Sequence, residues 1–132
     1  METLEISRLL RECKNIAVVG LSPKANRPSN QVAHYLIEAG YNVIPVNPGQ
    51  EKILGRKCYP DLESIPEPID IIDIFRRSED VPPVVESAIG IGSKVIWMQL
   101  GIINEEAAAR AREAGLAVVM DRCLKIDHRD LL

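Results

Sequence analysis

The chain has 132 residues, which leaves room for one domain at a typical size of about 150. Apolar residues make up 46% and charged residues 27%, an ordinary globular balance that argues against a disordered or fibrous chain. A formal net charge of −3 excludes a protein held to nucleic acid by bulk basicity. Apolar runs such as 16–21 and 95–98 also fall far short of the roughly 20 residues needed to cross a bilayer.

The chain opens with METLEISRLLRECK, an amphipathic helix pattern with acidic residues rather than a basic-then-apolar signal peptide. Ile6, Leu9, Leu10 and Cys13 form one apolar stripe suited to covering a sheet of the same chain. The run 16–20 (IAVVG) is continuously apolar and closed by glycine, as a strand buried on both faces is. Residues 30–39 then place Val32, Ala33, Leu36 and Ile37 at helical spacing, with Gly40 as the stop.

The runs 42–46 (NVIPV), 69–75 (IDIIDIF), 94–98 (KVIWM) and 116–120 (LAVVM) read as further strands. Pro45 removes one ladder donor, so it marks either a strand end or one-sided pairing. Residues 50–68 hold Gly55, Pro60, Pro66 and Pro68 and read as a long connection with at most one short helix. Between the later strands lie helix patterns at 81–91 and 104–114. Ser78 or Asp80 is placed to cap the first, and Asn104 caps the second ahead of Glu105 and Glu106.

Strands alternating with helices, without the short turn signals of antiparallel hairpins, predict a Rossmann-like α/β fold. Its core is an open parallel sheet of about five strands with helices on both faces. The 132 residues form one domain, with 1–14 as an N-terminal helix. The C-terminal residues that carry His128 read as a solvated tail, and His34 as a helix-face or core residue.

Ligands of such sheets sit beyond the carboxyl ends of the strands. Lys24 and Arg27 follow the first predicted strand, Lys52, Arg56 and Lys57 the second, and Arg76 and Arg77 the third. That gathering of cations in an acidic protein favours an anionic ligand with more than one phosphate; a merely solvated rim is the plain alternative. The loop 20–30 (GLSPKANRPSN) lies where dinucleotide folds cradle phosphate, through amides near Leu21 and Ser22 and a helix start near Ser29 and Asn30. It lacks both GxGxxG and GxxxxGK[ST] spacing. Val46-Asn47-Pro48 also stands where NAD-binding domains usually carry an acid, so a dehydrogenase is disfavoured.

No catalytic constellation emerges. Three cysteines, Cys13, Cys58 and Cys123, form an odd set without a CxxC pair. A disulfide scaffold and a metal site are therefore both disfavoured, and a reducing, cytoplasmic setting is expected. Asp70 and Asp73 flank apolar residues and are expected to cap or pair within the fold rather than do chemistry.

The run IAVVGLSPKANRPSNQVAHYLIEAGYNVIPVNP, followed by GRKCYPDLESIP, resembles the stand-alone CoA-binding proteins. Those are relatives of the N-terminal CoA-binding domain of the succinyl-CoA synthetase alpha subunit, and the likeness runs from about Lys14 to Leu131. It implies binding of coenzyme A, or an acyl-CoA, across the strand ends. By position, Gly20, Leu21 and Ser22 contact the ligand, while Lys24, Asn26, Arg27, Ser29 and Asn30 serve its phosphates. Asn47 and Pro48 bound the adenosine side, and Phe75, Arg76 and Arg77 fill the loop after the third strand. Gln99, Leu100 and Gly101 occupy a loop where the synthetase has an acid-glycine pair near the ligand, and the glutamine departs from that acid. The synthetase's second domain and its phosphorylated histidine have no counterpart here, so binding without catalysis is implied. The rival expectations are an NAD(P)-dependent or acyl-CoA-handling enzyme, and an interaction domain with a vestigial pocket. Neither a nucleic acid nor a membrane is an expected partner.

Overall fold

The computed structural model describes residues 1–132. Helix α1 (Thr3–Glu12) is followed by β1 (Asn15–Val19), α2 (Pro28–Glu38) and β2 (Asn42–Val46). A hairpin of β3 (Lys52–Ile53) and β4 (Arg56–Lys57) leads to β5 (Ile71–Ile74). Then come a 3-10 turn at Ser78–Asp80, α3 (Val81–Gly90), β6 (Val95–Met98), α4 (Glu105–Glu113), β7 (Ala117–Val119) and α5 (Leu124–Leu131).

The five main strands are all parallel, in the order β2-β1-β5-β6-β7. Strands β5 and β6 bury every residue because both faces are covered. Ile16 and Val18 of β1 pack with Ile6, Leu10, Val32, Leu36 and Leu124, so α1, α2 and α5 share one face. Ala17 and Val19 pack with Val81, Val85, Ala107 and Ala111, so α3 and α4 share the other. The doubly wound α/β architecture read from the alternating pattern is the one found. The apolar stripe of α1 does cover the sheet, with Ile6, Leu10 and Cys13 buried.

The structure differs from the sequence reading in four places. Residues 50–68 hold a hairpin and no helix; its tip, Leu54-Gly55, has φ of 54° and 73°, the mirror-image turn that lets strands reverse in two residues. Leucine is an unusual tenant there, which is why the sequence shows no turn signal. Helix α2 begins two residues early, at Pro28, whose fixed φ suits a first turn. The C-terminal tail is helical, and His128 is half-buried rather than solvated. Its Nδ1 lies 2.8 Å from the Tyr35 hydroxyl, and its ring packs edge-on to Tyr41. Burial lowers its pKa.

The fourth difference concerns charge. Arg56 donates to Asn42 Oδ1 at 3.3 Å, and Asn42 opens β2, so the hairpin folds back along the edge of that strand. Lys52, Arg56 and Lys57 belong to this edge cover, and Arg56 is drawn to the amino end of the sheet. The cover also explains Pro45. Its carbonyl accepts the Tyr59 amide at 3.0 Å on the outer side, so the donor it lacks faces away from β1 and costs no bond of that ladder.

Asp70, just before β5, and Asp73, within it, have opposite fates. Asp70 accepts the Lys14 and Asn15 amides at 2.9 and 3.0 Å and pairs with Lys94 at 3.4 Å. Burial pushes its carboxyl up, but those partners outweigh it and hold the pKa below the ordinary value. Asp73, expected to pair, has no partner for either oxygen and is fully buried. Burial alone pushes it well above the ordinary carboxylate range.

Candidate functional site

Strand order reverses between β1 and β5, because the chain leaves β1 for α2 on one face and leaves β5 for α3 on the other. The loops therefore part there and open a crevice at the carboxyl edge. Gly20 forms its floor at φ +88°, a region closed to most side chains. A Cβ on this residue would lie 2.2 Å from the Phe75 carbonyl oxygen, so the first loop crosses directly over the end of β5.

Beyond it the loop is tied down at every step. Leu21 is fully buried, and its carbonyl accepts Asn47 Nδ2 at 3.0 Å. The Ser22 amide donates to Ser29 Oγ at 2.9 Å, and the Ser22 carbonyl accepts Asn30 Nδ2 at 2.9 Å. The Lys24 amide donates to Ser22 Oγ at 3.1 Å. Ser29 and Asn30 thus spend their side chains closing the loop onto α2, and the Ser22 amide is already engaged. What remains for an anion is the start of α2, where no side chain caps the helix, together with Lys24 and Arg27.

Gly20, Ser22, Lys24, Arg27, Ser29 and Phe75 line a cavity of about 300 Å³ on this side. A second cleft of about 170 Å³ opens toward α3, walled by Val19, Val46, Leu62, Val84 and Arg76. The two cavities meet the same strand ends, through Val19-Gly20 of one and Phe75-Arg76 of the other. Lys24, Arg27 and Arg76 form no ion pair. A polyanion matches the first cavity in charge, and an apolar or aromatic end fits the apolar wall of the second, whose mouth also carries Asp61 and Glu63 beside Arg76.

The other sequence-derived residues are distributed unevenly. Asn47 joins the crevice wall through Leu21, and its Oδ1 also accepts the Gly49 amide at 2.9 Å. Asn26 and Pro48 are exposed and line neither cavity. Arg77 turns to Asp80 and Glu79 at 3.0 and 3.3 Å, which neutralise it locally. Gln99 is buried and accepts the Leu124 amide at 3.1 Å, so it satisfies the first turn of α5. Gly101 donates to Asp121 Oδ1 at 2.7 Å, tying the loop after β6 to the loop after β7. Residues that the sequence reading did not assign to a ligand, Val19, Val46, Leu62 and Val84, form the apolar wall of the second cleft. Their only local signal is apolarity, which core residues share.

Burial makes the thiols of Cys13 and Cys58 poor nucleophiles. Cys13 is raised to about 11, chiefly by burial, and burial also raises Cys58 despite its contacts with the Asn47 and Tyr59 carbonyls.

The sequence profile of the CoA binding domain family matches residues 14–129. The chain belongs to that family. Its relatives are of two kinds. One is YneT of Bacillus subtilis, an uncharacterized protein 44% identical over 124 residues, covering 94% of this chain and 92% of YneT. A solved structure of a hypothetical protein from Pyrococcus horikoshii OT3 superposes with a TM-score of 0.97 at 44% identity, covering 99% of this chain and 92% of that one. The other kind is much longer. The ADP-forming acetate–CoA ligase I of Archaeoglobus fulgidus is 30% identical over 128 residues, 89% of this chain but 19% of the ligase. This chain therefore spans about a fifth of the ligase it matches.

Proposed function

We propose that this chain, as one binding unit, holds coenzyme A, free or as an acyl-CoA, across the carboxyl ends of β1, β5 and β6, and carries out no reaction on it. The observation that carries this reading is the pair of adjoining cavities at the ends of β1 and β5. One is cationic, at an uncapped helix start; the other has an apolar wall of Val19, Val46, Leu62 and Val84, with Arg76, Asp61 and Glu63 around it. The diphosphate lies at the start of α2 beside Lys24 and Arg27. The adenosine enters the cleft toward α3, with Asn47 holding the crevice wall through the Leu21 carbonyl, and the pantetheine arm runs past Phe75 toward Gln99 and Gly101. Native mass spectrometry of the purified protein tests this directly: a co-purifying CoA species supports it, and an adenine dinucleotide in its place overturns it.

Ser22→Asp checks the first loop. The new carboxylate can still accept the Lys24 amide, so the loop keeps its shape while a negative charge enters the cavity. CoA affinity falls by about tenfold or more, and the melting temperature changes little. Unchanged affinity in calorimetry means the diphosphate lies elsewhere.

The cations predict a preference for CoA over dephospho-CoA, which lacks the 3′-phosphate. A charge-assisted hydrogen bond contributes about 1.5–3 kcal/mol, a tenfold or larger difference. Replacing Lys24, Arg27 or Arg76 by Ala in turn identifies the partner, since only that change erases the preference. Arg77→Ala leaves the preference intact, because its guanidinium is bound to Asp80 and Glu79. Added salt narrows the gap. Equal affinities at low salt would leave the basic loops as a solvated rim.

A further inference from the structure

The turn that follows β6 holds two large apolar side chains in water, with Leu100 66% and Ile103 48% exposed. Their neighbour Ile102 is half-buried and packs against the core instead. The turn is clamped from three directions. The Ile102 amide closes it on the Gln99 carbonyl at 2.9 Å, and Gly101, at φ +85°, supplies the backbone shape its third position needs. The Gly101 amide is held by Asp121, itself at a positive φ of 59°. The Ile103 amide donates to Ser78 Oγ at 3.0 Å, and Asn104 Nδ2 donates to the Ser78 carbonyl at 2.9 Å. Holding apolar groups rigidly in water adds nothing to folding, whereas it lowers the ordering cost of a contact made there.

The position of the turn relative to the crevice suggests what it contacts. It leaves the same edge of the sheet, and β6 lies two strand places from β1 in the order β1-β5-β6. At a strand spacing of about 4.8 Å that is about 10 Å. The pantetheine arm has a dozen bonds between phosphate and sulfur, about 15 Å at the advance of an extended chain. A ligand anchored by its diphosphate at α2 can therefore bring its sulfur to the turn, with any acyl group beyond.

We propose that Leu100 and Ile103 receive the acyl group of an apolar acyl-CoA, so that the preferred ligand is a thioester bearing several methylenes rather than free CoA. This rests on the CoA-binding reading above and adds the class of acyl group to it. Each methylene fully withdrawn from water is worth roughly fourfold in affinity.

The test is calorimetric titration with CoA, acetyl-CoA and octanoyl-CoA, on the native chain and on a Leu100→Ser, Ile103→Ser double variant. Octanoyl-CoA binds the native chain about tenfold or more tightly than CoA, while acetyl-CoA stays close to CoA. The double variant loses that preference, keeps its CoA affinity within about twofold, and melts near the native temperature because both residues are exposed. Equal affinities of the native chain for CoA and octanoyl-CoA overturn the inference, as does a preference that survives in the double variant. In both cases CoA binding itself still stands. Failure of CoA and both thioesters to bind removes the CoA-binding reading, and the acyl assignment with it.

Discussion

Gly20→Ala is expected to cost more than about 3 kcal/mol of stability and to abolish ligand binding. The new Cβ would lie 2.2 Å from a backbone oxygen, that of Phe75, which cannot swing aside as a flexible side chain would. A φ of +88° adds a penalty of roughly 1–2 kcal/mol for any residue with a Cβ. Both strains are relieved only if the first loop lifts off β5. That movement would break the Ser22–Ser29 and Ser22–Asn30 bonds, which close the cavity. Urea denaturation reads the first effect and CoA titration the second. A variant of native stability would mean that β1 and β5 can separate at no cost. By contrast, Gly40 and Gly115 also have positive φ but open space around them, so Ala there carries the backbone penalty alone.

Asp73 gives the second large effect, with the opposite sign. It sits in the middle of the sheet, in register with Val18 and Trp97, and neither carboxyl oxygen has a partner. Its folded pKa lies well above the ordinary 3.8, and burial is the sole cause. Below the unfolded pKa the acid is protonated in both states, and its contribution to stability is fully present. As pH rises the unfolded chain releases the proton while the native state keeps it. Stability therefore falls by about 1.4 kcal/mol per pH unit until the folded pKa is reached, where the loss is complete.

Asp73→Asn removes this pH dependence, so the difference between native and variant stability grows with pH from the acid side. Asp73→Val also removes the desolvated polar group and suits a strand. It raises stability by about 1–3 kcal/mol on the acid side, where the carboxyl is protonated in both states, and by more at neutral pH. Urea midpoints measured from about pH 4 to 9 separate this acid from Asp70 and His128, which both proteins keep. Parallel pH profiles for the native chain and the Asp73→Asn variant would show that Asp73 has a partner after all.

These two residues also mark the border between what was legible in the chain and what was not. Gly20 stands out because it ends an apolar β-branched run ahead of a long loop, and local pattern is enough to place it at a strand end. Asp73 sits inside IDIIDIF three residues after Asp70, and the two are alike in sequence. One meets the amides of Lys14 and Asn15 at the amino ends of the strands; the other lies between Val18 and Trp97 without a polar partner. Period-two alternation puts them on opposite faces, but their partners depend on which strands lie beside β5.

The same division holds for the rest of the molecule. Strands buried on both faces must be apolar throughout, and helices covering them must carry one apolar stripe. Both demands act within a few residues, so the α/β class, the parallel sheet, the first loop and α1 could be read directly from the chain. Helix α5 could not: LKIDHRDL is short and polar, and it is held by Leu124 in the core, by Arg122 bound to Asp127 at 2.6 Å, and by Gln99. The hairpin at Leu54-Gly55 depends on the uncovered edge of β2 in the same way. So does the crevice. Lys24, Arg27 and Arg76 are left free while Arg77 is neutralised, and the second cleft is assembled from residues 19, 46, 62 and 84. Charge pairing and cavity shape are set by neighbours distant in sequence, and only the order β2-β1-β5-β6-β7 decides who those neighbours are.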